Sequence, residues 1–174
     1  DRMQEMNPAV LPRMAELGIL GICLPVRYGG QGFDYISLAL ACEELEAVDS
    51  TLRVVLSVHI GLNSMGLFQW GTEEQKQKYL KPQAEGKKFA MFGLTEPNVG
   101  SDVAGMLSTA VQDGDEYVLN GEKMWISLAS KAHHILWFGK TDPRAADPHE
   151  SISAFIVETD RPGVTVGDIH GKLG

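Results

Sequence analysis

Residues 92–102 read Phe-Gly-Leu-Thr-Glu-Pro-Asn-Val-Gly-Ser-Asp, FGLTEPNVGSD in one-letter form. An apolar run from Phe89 to Leu94 has the character of a short strand, and it breaks at Thr95 into polar residues, proline and glycine. Pro97 fixes its own φ, removes a donor and steers Glu96 away from helix. Gly93 and Gly100 either let the backbone approach a neighbour closely or take positive φ. Thr95, Ser101 and Asp102 add short polar side chains at the strand exit. Such an exit suits a flat polar ring or a phosphate. An ordinary capped turn draws on the same residues.

A second stretch, Leu119–Ser127, reads LNGEKMWIS. In order and spacing, TEPxxGSD followed by NGxKxWIS resembles the flavin-binding signature of the acyl-CoA dehydrogenase family, and the similarity extends over nearly the whole chain. The resemblance implies an α+β fold. An N-terminal helical bundle is expected over 1–88 and a β-barrel-like middle domain over 89–174, incomplete at its end. A C-terminal helical domain is expected in the family and not present in this chain.

The same resemblance implies FAD as cofactor, held by Phe92, Gly93, Leu94, Thr95, Gly100, Ser101, Trp125, Ile126 and Ser127. Leu94 and Thr95 would offer backbone groups and a hydroxyl to the pyrimidine edge of the flavin. Ser101 would lie where the cofactor phosphates approach the acyl-CoA substrate. Trp125 would flank the ring system, and Ser127 would hold its hydroxyl near N5 or O4. Fixed donors at that edge stabilise the charge that reduction places there. Two positions depart from the pattern. Ser127 stands where threonine is usual and loses the methyl that restrains its rotamer, and Phe92 stands where tyrosine is frequent. Read without the paired motifs, Trp125 is a plain strand aromatic.

In this family a carboxylate takes the α proton of an acyl-CoA thioester while the β hydrogen leaves as hydride to flavin N5. The base is a glutamate of the final helical domain, and no glutamate of this chain matches it. Glu43, Glu44, Glu73 and Glu74 read as solvated helix positions, and Glu96 as a structural part of its motif. No catalytic residue is therefore assigned. The resemblance further implies electron-transfer flavoprotein as electron acceptor, a homotetramer, and a role in fatty acid or amino acid catabolism in the bacterial cytoplasm or mitochondrial matrix. Two other readings stay open: an acyl-CoA oxidase or monooxygenase of the same superfamily, and a non-catalytic assembly module.

The substrate question turns on Arg53, in the first turn of an otherwise apolar helix, where a cation opposes the macrodipole. It either reaches solvent or pairs with Glu46 or Asp49, or it faces an acyl pocket with Ser57 one turn on. The second arrangement resembles the glutaryl-CoA dehydrogenase branch, where an arginine followed four residues later by serine binds the distal carboxylate of the substrate.

Composition narrows the classes. Fifteen basic against twenty-three acidic residues give a net charge of −8, which argues against nucleic acid as a partner. No uninterrupted apolar run has the ~18 residues of a membrane span, and Asp1 opens no recognisable signal peptide. Cys23 and Cys42 read as reduced core thiols of an intracellular protein. The histidines lack metal-ligand spacing.

Along the chain, Leu11, Met14, Ala15, Leu17 and Leu20 recur at helical spacing after Pro8, Gly18 and Gly21 mark the end of that helix, and Ile22–Gly32 is a turn punctuated by proline and glycine. A helix is expected from Tyr35 to about Val48, with Leu38, Ala41, Cys42 and Leu45 on its inner face. Asp49, Ser50 and Thr51 form an N-cap cluster before a buried helix from Leu52 to about Trp70. Thr72–Gln75 has the form of a capping box. Strands are expected at Leu107–Gln112, Glu116–Leu119, Lys123–Ile126, His134–Gly139 and Ser153–Val157, with hairpin signals at Asp113-Gly114 and Asn120-Gly121.

Overall fold

The computed structural model describes residues 6–142 and 144–171; Pro143 and the closing residues Lys172–Gly174 lie outside the described residues. The chain forms two compact units. A helical unit holds the residues up to Met91 together with Ser127–His133 and those from Val166, and a sheet unit holds Phe92–Ile126 and His134–Thr165.

In the helical unit, α1 (Val10–Glu16) buries Leu11 and Met14. It stops where Gly18 takes a φ of 71°, the left-handed ending that glycine favours. In the Ile22–Gly32 segment, a Cβ on Gly30 would sit 2.1 Å from the Leu24 carbonyl oxygen, so that glycine is a packing requirement. Asp34 starts α2 (Tyr35–Glu46) by accepting from the Ser37 N–H at 2.9 Å. Leu38, Ala41, Cys42 and Leu45 form its half-buried face, with Glu43, Glu44 and Glu46 exposed. Cys23 and Cys42 are free thiols, half-buried rather than in the core. Asp49 caps α3 (Ser50–Leu56) through the Thr51 N–H at 2.8 Å.

The helix expected from Leu52 to Trp70 is continuous but not uniform. After α3 it winds as a π-helix over Ser57–Ser64 and returns to α-helix in α4 (Met65–Trp70). What it buries is partly polar. His59, Asn63 and Ser64 are fully buried together with Gln83, while Leu62 and Trp70 are exposed. These four side chains close a network. Ser64 Oγ donates to the His59 carbonyl five residues back, at 2.8 Å, a span that the wider π turn suits. Gln83 Nε2 donates to Asn63 Oδ1 at 3.1 Å, and Asn63 Nδ2 donates to the Met91 carbonyl at 2.6 Å. Satisfying these groups on one another removes the cost of withdrawing them from water. The 21-residue run Ser50–Trp70 is apolar and long enough to cross a membrane by composition, yet Val55, Leu56, His59, Ile60 and Asn63 are buried in this unit.

The capping box forms as expected. Gln75 N–H donates to Thr72 Oγ1 at 3.2 Å and Thr72 N–H donates to Gln75 Oε1 at 2.9 Å. It opens α5 (Glu73–Gln75), which continues through a π turn over Lys76–Leu80 into α6 (Lys81–Ala84). Glu73 is more than the solvated residue expected, because the buried Tyr28 donates its hydroxyl proton to it at 2.8 Å.

The sheet comprises β1 (Ala90–Gly93), β2 (Thr109–Asp113), β3 (Glu116–Asn120), β4 (His134–Lys140) and β5 (Ile152–Glu158). The order is β1-β4-β2-β3, with β5 also pairing β4. β2 and β3 make a hairpin closed by Gly114 at φ 61°. β4 and β5 pair antiparallel along their full length, and β2 meets β4 parallel where Thr109 faces Lys140. A helical part followed by a mixed sheet is the architecture the sequence leads one to expect. The expected strand Lys123–Ile126 does not form, and Asn120-Gly121 is not a hairpin turn. The chain leaves β3 at Asn120 and runs irregularly, because the Met124 N–H donates to the Thr95 carbonyl at 2.9 Å instead of to a strand partner.

His59 gives the helical unit a pH dependence. Its Nε2 lies 3.1 Å from the Gln83 carbonyl, and its Nδ1 has no partner among the described residues. Burial lowers the imidazole from 6.5 to about 4, with the Gln83 carbonyl opposing the shift. A depressed histidine contributes stability that is present above the unfolded value and is lost as pH falls toward the folded one. Between those limits the expected slope is about 1.4 kcal/mol per pH unit. Urea denaturation at pH 7, 5.5 and 4.5 is expected to show this slope in the wild type and lose it in His59→Gln.

Candidate functional site

The two motifs meet inside the sheet unit through a buried ion pair. Glu96 and Lys123 are 2.8 Å apart, with side chains 4% and 5% exposed. The Glu96 carboxylate also accepts from the N–H groups of Leu107 at 2.7 Å and Ser108 at 3.0 Å. Burial alone would raise its pKa, but the Lys123 ammonium and these amides outweigh that and hold it at about 2. Burial pulls the Lys123 ammonium down, with Glu96 opposing. Lys123 Nζ donates in addition to the Leu94 carbonyl at 3.2 Å and lies 5.2 Å from the centre of the Trp137 ring. Reading Lys123 as the start of a strand missed this role. A lysine heading the apolar run Met124–Ile126, matched by a glutamate fixed before a proline, was the available signal.

The clasp shapes what surrounds it. Trp125, two residues beyond Lys123, takes a φ of 61°. A bulky side chain pays about 1–3 kcal/mol for that conformation. Its indole is nevertheless 57% exposed, so the strain is not offset by burial of the ring. Leu128 is likewise left-handed at φ 66°, so Ile126 and Ser127 lie between two contorted residues. Ser127 belongs to the helical unit and Ile126 to the sheet unit. Thr95 is half-buried and Ser101 exposed. Among the described residues, the hydroxyls of Thr95, Ser101 and Ser127 have no protein partner. Within the sheet unit, the free hydroxyls of Thr95 and Ser101 and the exposed Trp125 indole are groups that suit a flat ring with a polar edge.

The glycines divide by role. Gly93 is close to protein, since a Cβ there would stand 2.3 Å from the end of Ile135. Phe92 packs its ring on Phe138 at 5.0 Å. Gly100 has open space around it, and Gly121 has none, with Ser108 Cα 2.8 Å from where its Cβ would be. A groove of about 430 Å³ lies on the flank formed by Pro97, Asn98, Thr109 and Glu122, and none of Leu94, Thr95, Ser101 or Trp125 lines it. In the helical unit, Arg53 Nε pairs with Glu46 at 2.5 Å, and Ser57 Oγ donates to the Val54 carbonyl at 3.2 Å.

Comparison with known proteins matches residues 1–87 to the acyl-CoA dehydrogenase N-terminal domain and residues 91–174 to the acyl-CoA dehydrogenase middle domain. The chain belongs to the acyl-CoA dehydrogenase family. A probable acyl-CoA dehydrogenase of Bacillus subtilis is 42% identical over 174 residues, which is all of this chain and 46% of that protein. Among solved structures, a chain in that of the electron transferring flavoprotein of Acidaminococcus fermentans has a TM-score of 0.94 at 42% identity, over 99% of this chain and 45% of that one. A glutaryl-CoA dehydrogenase from Mycobacterium smegmatis in complex with FADH2 has a TM-score of 0.89 at 39% identity, over 97% of this chain and 42% of that one. The chain thus spans under half the length of these family members.

The glycine geometry is open to test. Gly121→Ala should destabilise the sheet unit by about 1–3 kcal/mol through overpacking against Ser108. Gly100→Ala should leave stability within about 0.5 kcal/mol of wild type. Thermal unfolding of the two variants checks both.

Proposed function

We propose that the protein containing this chain is a flavin-dependent dehydrogenase of acyl-CoA thioesters. The observation that carries the reading is the Glu96–Lys123 clasp, which draws the two motifs together while leaving hydroxyls and an indole free at their edge. FAD would be held by the backbone of Phe92–Thr95, by Thr95, Gly100 and Ser101, and by Trp125–Ser127. When bound, it would accept the β hydrogen of the substrate as hydride while a carboxylate takes the α proton. The role of this chain is orientation and charge stabilisation: Thr95 and Ser127 direct hydroxyl protons at the ring edge, and Trp125 bounds the ring plane. Glu96 is committed to Lys123 and two amides, so it is not the base. The base is proposed to come from the part of such enzymes that this chain does not match. Electron-transfer flavoprotein as acceptor, a homotetramer and an intracellular location complete the proposal.

The substrate proposed is a short or dicarboxylic acyl-CoA, with glutaryl-CoA as the diacid. Similarity to the Mycobacterium smegmatis enzyme and the Arg53–Ser57 spacing support it. Arg53 would then exchange Glu46 for the distal carboxylate of the substrate.

In the full-length gene product, Thr95→Val and Ser127→Ala should each weaken the stabilisation of reduced flavin by about 1–3 kcal/mol, read as a lower reduction potential. An unchanged potential in both would remove these hydroxyls from the site. The same preparation should turn over glutaryl-CoA in preference to butyryl-CoA, and Arg53→Gln should raise KM selectively for the diacid. Equal turnover of both thioesters, unaltered by the substitution, would return Arg53 to a surface pair with Glu46.

A further inference from the structure

Leu94 and Thr95 share one peptide, and it is trans, as are all peptides among the described residues. In a trans peptide the carbonyl and the following N–H point in opposite directions. Lys123 Nζ binds the Leu94 carbonyl from the buried side at 3.2 Å. The Thr95 N–H is thereby turned away from the ion pair, and it has no acceptor among the described residues. The next peptide is fixed as well: Met124 N–H donates to the Thr95 carbonyl at 2.9 Å, and Glu96 N–H donates to the Val99 carbonyl at 2.9 Å. Of the four N–H and C=O groups in these two successive peptides, the Thr95 N–H is the one left to a ligand. A buried ammonium is a costly way to hold a single carbonyl, and Glu96 offsets that cost without touching Leu94.

We propose that Lys123 is a positioning residue that acts through the Leu94 carbonyl to aim the Thr95 N–H at the electron-rich edge of the bound flavin. This rests on the flavin reading above. The donor so aimed is worth more to reduced than to oxidised flavin, because reduction adds negative charge at that edge. Lys123 touches neither flavin nor substrate.

Two neutral replacements of similar length separate positioning from charge. Lys123→Met removes the donor, and Lys123→Gln keeps an N–H for the Leu94 carbonyl. Both would be made in the full-length gene product, with affinity for FAD measured by flavin fluorescence and the two-electron potential by spectroelectrochemistry. In Lys123→Met, FAD binding is expected to weaken about tenfold, and binding of reduced flavin tenfold further, which equals a fall of about 30 mV. Lys123→Gln is expected to stay within about threefold of wild type in both. If Lys123→Met does not fold because Glu96 is left unpaired, Lys123→Met with Glu96→Gln removes both charges, and the same losses are expected. Equal behaviour of the Met and Gln variants, or a folded Met variant with wild-type affinity and potential, overturns the proposal. A wild-type protein that binds no flavin overturns the flavin reading itself, and the positioning role with it.

Discussion

A carboxylate and an ammonium withdrawn from water tolerate each other only where geometry and further hydrogen bonds compensate both. Around Glu96 and Lys123 that condition sets the course of the backbone. Each charge collects main-chain partners from a different stretch: Leu107 and Ser108 for Glu96, Leu94 for Lys123. Three segments far apart in sequence converge on one point. The left-handed Trp125 lies two residues beyond Lys123. On the irregular path after β3, the Met124 N–H is held by the Thr95 carbonyl.

The helical unit solves a comparable problem without charge. Gln83 donates an amide hydrogen bond to Asn63 Oδ1, Ser64 reaches back across the π turn, and the Met91 carbonyl accepts from the Asn63 amide. Apolar side chains could fill the same volume, but they would not fix the register of Ser57–Ser64 against α6. A π-helix is costly in backbone terms and occurs where something else compensates. In this unit the compensation is visible as a closed amide network.

Much of this was legible in the residues. Asp49 and Thr72 announce helix starts because a short polar side chain there accepts from a free amide of the first turn. Gly18 and Asp113-Gly114 mark their turns for equally local reasons. The alternation of β4 and β5 reads directly as strand. What could not be read depends on partners distant in sequence. Lys123–Ile126 has a strand's composition, and only the Thr95 carbonyl, which captures the Met124 amide, prevents it from being one. The run Leu52–Trp70 looks uniformly apolar until Gln83 and Met91 arrive to satisfy its His59 and Asn63. Within the candidate site, the motifs pointed to the hydroxyls and the indole, whereas Glu96 and Lys123 stand in the sequence as separate residues whose pairing only tertiary contacts reveal. Arg53 lay between two readings, and its pairing with Glu46 is one that the sequence spacing left open.

The three tryptophans occupy three different environments. Trp70 is 86% exposed in the helical unit, Trp125 is 57% exposed in the sheet unit, and Trp137 is 7% exposed beneath the Lys123 ammonium. Indole emission responds to polarity and to nearby charge, so the chain carries its own set of optical reporters. Red-shifted emission would come from Trp70 and Trp125, and a blue-shifted component from Trp137. An ammonium held over one face of that last ring displaces its excited-state charge distribution. Loss of the charge pair would therefore be seen in the blue component alone, and a population in which the clasp has opened could be counted by light before any other part of the fold has come apart.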